Sequence, residues 1–417
     1  MNITDVEDKI IRRVRETGIP LAAYTGRYES AFLEDSRALN LCPPHHRPRA
    51  TQYIPEILDL IGRLRERGLA YQAPDGSIYF SIANYRARGA CYGRLLKLEL
   101  EHLRVGDRIR NDEYAKEAIA DFALWKARVP DDGEVFWPSP WGDGRPGWHV
   151  ECSAMSMKLL GPSFDLHLGG EDLVFPHHED EIAQSEGAAL QAPGQQFVKH
   201  WLHVANLMVE GRKMAKSLGN FFTLRDLLAR GFAGREIRCL LLTAHYREPF
   251  NFTLDGLAGA RTALARLDEC LSKLRAAAGP QTTAPDPELL HRFTAALDDD
   301  FNVSAAWAAV FDWVRETNRQ LAAQTMAAGH AAAALAAWQK MDTVLGLGEP
   351  QVSGPPPEAL ALLAARQAAR QTRDFARADT IRQELNSMGW LVEDTPKGPR
   401  LKPAVSLDAG TPERTVR

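Results

Sequence analysis

This 417-residue chain is poor in cysteine, in long apolar runs and in net charge, and each shortage excludes something. Its five cysteines, Cys42, Cys91, Cys152, Cys239 and Cys270, are scattered and follow no framework spacing. That excludes a disulfide-stapled scaffold and predicts reduced thiols in a cytoplasm, as does the lack of a signal-peptide pattern. The most apolar stretch, 319–337, is broken by Arg319, Gln320, Gln324 and His330, so it reads as one alanine-rich helix and not as a membrane span. With 50 Lys and Arg against 54 Asp and Glu, the formal net charge is −4. Bulk charge therefore gives no general affinity for nucleic acid, and a polyanionic partner must be met by local patches.

What is present is an ordinary globular composition, 45% hydrophobic and 25% charged, long enough for two to four domains. Residues 3–41 have helical periodicity, with Thr4 or Asp5 as a cap and Gly18 as a stop. "CPPHHRPRA" (42–50) breaks the pattern before a further helix over 52–68. "AYQAPDGSIYFSI" predicts a hairpin in which Asp75-Gly76 supplies the positive φ angles of a tight turn. Residues 83–147 are rich in Pro, Gly and Asp and read as an inserted module whose return strands feed a site. From 148 to 225 strand-like and helix-like segments alternate, as in a parallel α/β sheet, and beyond 225 the chain is nearly all helix. "GEPQVSGPPPEA" (348–359) has a linker's composition and precedes a small module of two helices and two strands. The expected division is a catalytic region 1–225 with an insert at about 43–147, a helical domain 226–347, a linker 348–357 and a C-terminal module 358–417.

Four stretches carry chemistry. "GWHVECSAM" places Cys152 after a strand-like segment, and "FPHHEDEIAQSE" starts a helix with His177 and Glu181 four apart on one face. Cysteine, histidine and glutamate together suit zinc, and three protein ligands leave a coordination position open for substrate. The same residues equally suit a solvated acidic helix start beside a core cysteine. "HLGGEDL" (167–173) is a strand end, a glycine turn and an acid, where Asp172 can meet a ribose hydroxyl or an ammonium group. "GRKMAKSLGN" (211–220) sets Lys213 and Lys216 in a loop flanked by Gly211 and Gly219. Mobile lysines arriving in the transition state stabilise the charge that builds as pyrophosphate leaves ATP, without over-stabilising bound ATP.

"KMAKSLGN" resembles the KMSKS signature of class I aminoacyl-tRNA synthetases, with Ala215 in place of the usual middle serine. "NITDVEDKI", "PGWHVECSAM", "LGGEDLVFPHHEDEIAQSE", "ALDDDFN" (296–302) and "DFARADTIRQELNSMGWLVEDTPKG" (374–398) are similar to cysteinyl-tRNA synthetases, in the family's order from residue 2 to about 402. The resemblance implies a Rossmann-like nucleotide-binding domain, a helical-bundle domain and a small C-terminal α+β module for the anticodon. It implies ATP, accompanied by Mg2+, and cysteine and tRNA(Cys) as substrates, with one zinc ion that binds the substrate thiolate. A soft thiolate is a far better zinc ligand than a hydroxyl, so the metal supplies discrimination that packing cannot. By motif position Cys152, His177 and Glu181 are three of the family's zinc ligands. Trp148, His167 and Thr4 fall where the family lines its amino-acid pocket, Asp172 is a further carry-over, and Lys216 matches the ATP-binding lysine.

The family's HIGH signature and a fourth, cysteine, ligand lie ahead of the segment that "MNITD" resembles. The expectation from sequence is a chain begun at an internal methionine, unable by itself to form cysteinyl-adenylate. Two further readings stand beside the leading one. One is a ligase that passes activated cysteine to a small amine, as in the mycothiol pathway; the other is an inactive tRNA- or zinc-binding paralogue. Residues 358–402 carry eight Lys and Arg against six Asp and Glu, with Arg366, Arg370, Arg373 and Arg377 at helical steps, which favours an anticodon over a small amine.

Overall fold

The opening periodicity folds as α1 (Asp8–Thr17) and α2 (Leu21–Ala38), parted at Gly18, which takes the left-handed conformation (φ 66°). The structure is a computed structural model and describes residues 1–95, 121–188, 196–214, 218–280, 283–348, 356–395 and 398–403. Neither Thr4 nor Asp5 caps α1: Glu7 occupies the N-cap, without a side-chain bond. A buried carboxylate needs donors, and Asp5 finds two at Thr51, its backbone N–H (3.0 Å) and its hydroxyl (2.6 Å).

The chain divides into two compact units, the first comprising Met1–Arg37, Leu41–Leu207 and Tyr246–Phe250. In it α3 (Ile54–Glu66) buries Ile57, Leu60, Ile61 and Leu64, spaced as one apolar face. Strands β1 (Ala70–Gln72) and β2 (Ile78–Phe80) form the expected hairpin, but through a five-residue loop in which only Gly76 has a positive φ (91°). Asp75 acts through its side chain instead, accepting from the Ser77 N–H at 2.9 Å. After α4 (Ile82–Ala87), strands β3 (Phe122–Ala127) and β4 (Gly144–Pro146) extend the hairpin into an antiparallel sheet of order β1-β2-β3-β4. Residues 96–120 of the expected insert lie outside the described residues.

Helix α5 (Trp148–Leu160) begins at Gly147, where a Cβ would sit 1.9 Å from the Ala123 carbonyl oxygen; only glycine lets the helix start lie against β3. Cys152 therefore sits in the second turn of a helix, and the segment just before it, 148–151, is that helix's first turn and not a strand. The surroundings of Cys152 looked strand-like because residues 149–155 are buried without a break, which erases helical periodicity. Strand β5 (Phe164–Gly170), helix α6 (Glu179–Ala188) and strand β6 (Val198–Val204) follow, and β5 and β6 pair in parallel from Phe164↔Val198 to Gly170↔Val204. One core joins α3, the antiparallel sheet, Val150 and Ala154 of α5, and Ala183 of α6, with Phe80 stacked on Phe122 at 4.9 Å.

The second unit comprises Ala38–Asn40, Met208–His245 and Asn251–Arg417. Strands β7 (Leu207–Val209) and β8 (Arg212–Lys213) turn at Glu210 (φ 51°) and Gly211 (φ 73°), the paired positive angles of a tight hairpin. Helices α7 (Leu224–Ala229) and α8 (Gly234–Leu241), strand β9 (Phe250–Phe252) and the long α9 (Leu254–Ala278) come next. A bundle continues through α10 (Pro287–Asp298), α11 (Val303–Ala322) and α12 (Ala328–Leu345), where Trp313 stacks on Trp338 at 6.3 Å. The alanine-rich stretch 319–337 is thus two helix ends and a turn, with Gln324 at φ 58°, and not one helix. Among the described residues no helix is long and apolar enough to cross a membrane. Helices α13 (Pro357–Gln371) and α14 (Phe375–Ser387) pack with the hairpin β10 (Trp390–Thr395) and β11 (Gly398–Pro403). Residues 349–355 of the expected linker and 404–417 of the C-terminal module lie outside the described residues.

Candidate functional site

Helix α6 opens on three consecutive acids, Glu179, Asp180 and Glu181, all fully buried. Burying carboxylates is costly unless each finds donors or counter-charge, and the three find different answers. Glu179 accepts from the backbone N–H groups of Gly93 (3.0 Å) and Leu95. Asp180 accepts from the Tyr92 hydroxyl at 2.6 Å and faces His149 Nε2 at 3.3 Å. Among the described residues Glu181 faces imidazoles and a thiol, and neither of its oxygens receives an aligned hydrogen bond from them; His177 Nε2 lies 2.8 Å from Oε1 and His167 Nε2 3.7 Å from Oε2. Burial pushes the Glu181 carboxyl up, but His167, His177 and His178 outweigh it and hold the group below its ordinary value.

A wide turn, Val174–His178, with Phe175 extended (φ −139°), delivers His177 and His178 to α6. Helix α5 brings Cys152 to the same place. The ligand atoms of Cys152, His177 and Glu181 all lie within 4.8 Å of one another, and all three residues are buried. Those of His167, His178 and Glu181 form a second group within the same limit. Asn2 donates to Cys152 Sγ at 3.3 Å. Burial, then Glu181 and Glu151, push the Cys152 thiol well above its ordinary range, so the thiolate requires a nearby cation. Carboxylate, imidazole and sulfur around an orphaned buried oxygen pair are donors that could hold a metal ion, and their chemistry suits zinc.

Trp148, at the start of α5, is exposed and lies over His177 with ring centroids 4.4 Å apart. His167, on β5, packs on Trp201 at 4.7 Å. These two therefore border the buried trio. Thr4 lines an open cleft of about 460 Å3 between the N-terminal segment, α1 and α2, together with Asn2, Tyr24 and Tyr28. Asp172 is exposed just past β5. Lys213 is exposed on β8 in the second unit. Lys216 lies outside the described residues. Asn220, which sequence reasoning passed over, is buried and holds both sides of the loop, donating to the carbonyls of Val209 and Lys213 at 3.1 Å each.

Sequence reading also missed the histidines around the trio. His149 is buried in α5, its Nδ1 2.8 Å from His177 Nδ1. His178 and His203 share a 2.8 Å contact between Nδ1 and Nε2, and burial, against the pull of Glu181, pushes His178 down to about 3. The available signal was density: His149, His167, His177, His178, His200 and His203 are half of the chain's 12 histidines, gathered within 149–203.

Comparison with known proteins agrees with this geometry. A model of the class I (C) tRNA synthetase catalytic domain matches residues 1–262 and a DALR domain matches 292–349. Methionyl-tRNA synthetase of Mycobacterium tuberculosis, solved with methionyl-adenylate, superposes with a TM-score of 0.58 at 16% identity, covering 97% of this chain and 89% of that one. Fold and matched domain define a class I aminoacyl-tRNA synthetase. The cysteinyl-tRNA ligase anticodon binding domain matches residues 353–399. The cysteine–tRNA ligase of Chlamydia pneumoniae is 45% identical over 411 residues, covering 97% of this chain and 85% of its own. That of Halorhodospira halophila is 48% identical over 406 residues, with 95% and 84% covered. The chain belongs to the cysteine–tRNA ligase family.

Proposed function

We propose that this protein, in a chain that carries the family's HIGH signature, activates cysteine with ATP to cysteinyl-adenylate and transfers the cysteinyl group to tRNA(Cys), in the cytoplasm. The observation that carries the specificity is Glu181, buried beside Cys152 and His177 with no aligned donor on either oxygen. These three residues would hold one zinc ion. When bound, zinc supplies a soft Lewis acid that distinguishes a thiol from a hydroxyl of similar size. Trp148 and His167 border that position and shape the amino-acid pocket, Thr4 contributes from the N-terminal segment, and Asp172 receives the substrate ammonium or the ribose. Lys213 and Lys216 stabilise the phosphates of Mg2+-ATP as charge develops on the leaving pyrophosphate. The helical region 226–347 and the module 358–417 engage the tRNA, and the matched anticodon-binding domain favours tRNA over a small amine as acceptor. Cysteine-dependent exchange of pyrophosphate into ATP, followed by charging of tRNA(Cys), tests the reading. Charging of tRNA(Cys) with cysteine supports it; exchange with cysteine but acyl transfer to a small amine alone overturns it.

A further inference from the structure

His177 stands between two partners that make opposite demands on its tautomer. Its Nδ1 lies 2.8 Å from His149 Nδ1, and its Nε2 lies 2.8 Å from Glu181 Oε1. Two neutral nitrogens in contact share one proton, so either His177 or His149 donates across the Nδ1–Nδ1 contact. Suppose His149 donates. Its own Nε2 is then a bare lone pair turned on the Asp180 carboxylate at 3.3 Å, an unfavourable pairing for two groups that are almost wholly buried. Suppose His177 donates. His149 Nε2–H then faces the Asp180 carboxylate at 3.3 Å, a favourable charge–dipole contact though not an aligned hydrogen bond, and the Tyr92 hydroxyl donates to the other Asp180 oxygen at 2.6 Å. The one remaining conflict is His177 Nε2, a bare lone pair facing the unpaired Glu181 carboxylate, with Cys152 alongside. A cation between them resolves it.

We propose that Tyr92, Asp180 and His149 are positioning residues that fix His177 as its Nδ1–H tautomer and present Nε2 to the metal. The chain runs by hydrogen bond from Tyr92 O–H to Asp180, by a 3.3 Å charge–dipole contact from Asp180 to His149 Nε2–H, and by hydrogen bond between His149 Nδ1 and His177 Nδ1–H. Partners of this kind orient a ligating imidazole and raise its basicity, and their loss typically costs about 10–100-fold in metal affinity. Tyr92 stands apart in sequence from the α5 and α6 residues it serves, and Glu179 ties its neighbours Gly93 and Leu95 to the same helix end. That anchoring places the hydroxyl within reach of Asp180.

The inference rests on the reading of Cys152, His177 and Glu181 as zinc ligands, and its test separates the two. Zinc affinity is measured by chelator competition for wild type, Cys152→Ala, His149→Leu and His149→Asn. Leucine approximates the volume of His149 without its acceptor, whereas the smaller asparagine offers an oxygen near the Nδ1 position. A positioning role predicts that His149→Leu loses about 10–100-fold in affinity and that His149→Asn recovers most of it. A packing role predicts the reverse order, and that result would overturn the inference. Should both His149 variants misfold, Tyr92→Phe and 15N-histidine NMR of the wild-type zinc protein still decide. A proton on His149 Nε2, and weaker zinc retention in Tyr92→Phe, support the chain; a proton on His149 Nδ1 overturns it. Wild-type affinity in Cys152→Ala would instead defeat the ligand reading itself.

Discussion

His177 and Glu181 stand one helical turn apart and meet at 2.8 Å, with Nε2 against Oε1. An i, i+4 pair of this kind on an exposed helix contributes a few tenths of a kcal/mol. Here both residues are buried, Glu181 has no aligned donor, and Cys152 completes the group. The arrangement is expensive for a protein unless something positive occupies it, and the following expectations derive from that and from the packing around it.

Zinc content follows first. The protein purified gently should carry about one zinc ion per chain, as a three-ligand site predicts. The Cys152→Ala/His177→Ala double variant should carry almost none by elemental analysis. Equal content in the two would remove the assignment.

The lysine loop gives a kinetic expectation. In a chain that also carries the family's HIGH signature, Lys216→Ala should slow cysteine-dependent pyrophosphate exchange by about 10²–10³-fold, the usual cost of one charge donor to a transition state. The KM for cysteine should change little, because the lysine serves phosphate. A normal rate with a raised cysteine KM would place the loop elsewhere in the reaction.

The second unit offers a test of packing. Arg238 donates to the carbonyls of Leu345, Leu39 (3.0 Å) and Asn40 (3.2 Å), and it lies directly over Gly346. A Cβ at Gly346 would fall 2.7 Å from Arg238 Nη2, at a backbone φ of 62° that suits glycine. Gly346→Ala should therefore lower stability by about 1–3 kcal/mol in denaturant unfolding. A variant as stable as wild type would mean that Arg238 can swing aside without loss.

Acid sensitivity has a local contributor at Asp8. Burial raises its pKa, but Lys126 (2.9 Å) and Arg145 (2.5 Å) more than reverse this and hold it below the ordinary 3.8. A depressed folded-state value means that the stabilisation is present above pH 3.8 and fades as pH falls through the lower folded value. The pair is half-exposed, so about 0.5 kcal/mol is at stake. Asp8→Asn should lose that amount at pH 6 and progressively less as pH falls below 3.8, as read from urea midpoints; a loss that does not shrink with acid would point to packing and not to charge.

Much of the fold was legible because periodicity survives wherever an element has one wet face. The α3 face of Ile57, Leu60, Ile61 and Leu64 announced itself, as did the hairpin around Gly76 and the helices beyond 225. The reading failed where burial is complete. Helix α5 hides its period because both its inner and outer faces are covered over His149–Met155, and so Cys152 looked like a residue after a strand. Spacing also gave His177 and Glu181, since i, i+4 is a local relation. It could not give His149, Tyr92 or Asp180 their partners, because contacts across 28 and 88 residues leave no local signature. The alanine-rich stretch misled for another reason: alanine favours helix so uniformly that the turn at Gln324 left no gap in the pattern.

X-ray absorption at the zinc edge tests the central claim most directly, because it counts sulfur atoms around the metal. The account predicts that adding cysteine to the zinc protein increases the sulfur shell by one, that serine leaves it unchanged, and that Cys152→Ala lowers it by one before any substrate is added. A sulfur count that does not respond to cysteine, or that is the same in wild type and Cys152→Ala, would contradict it.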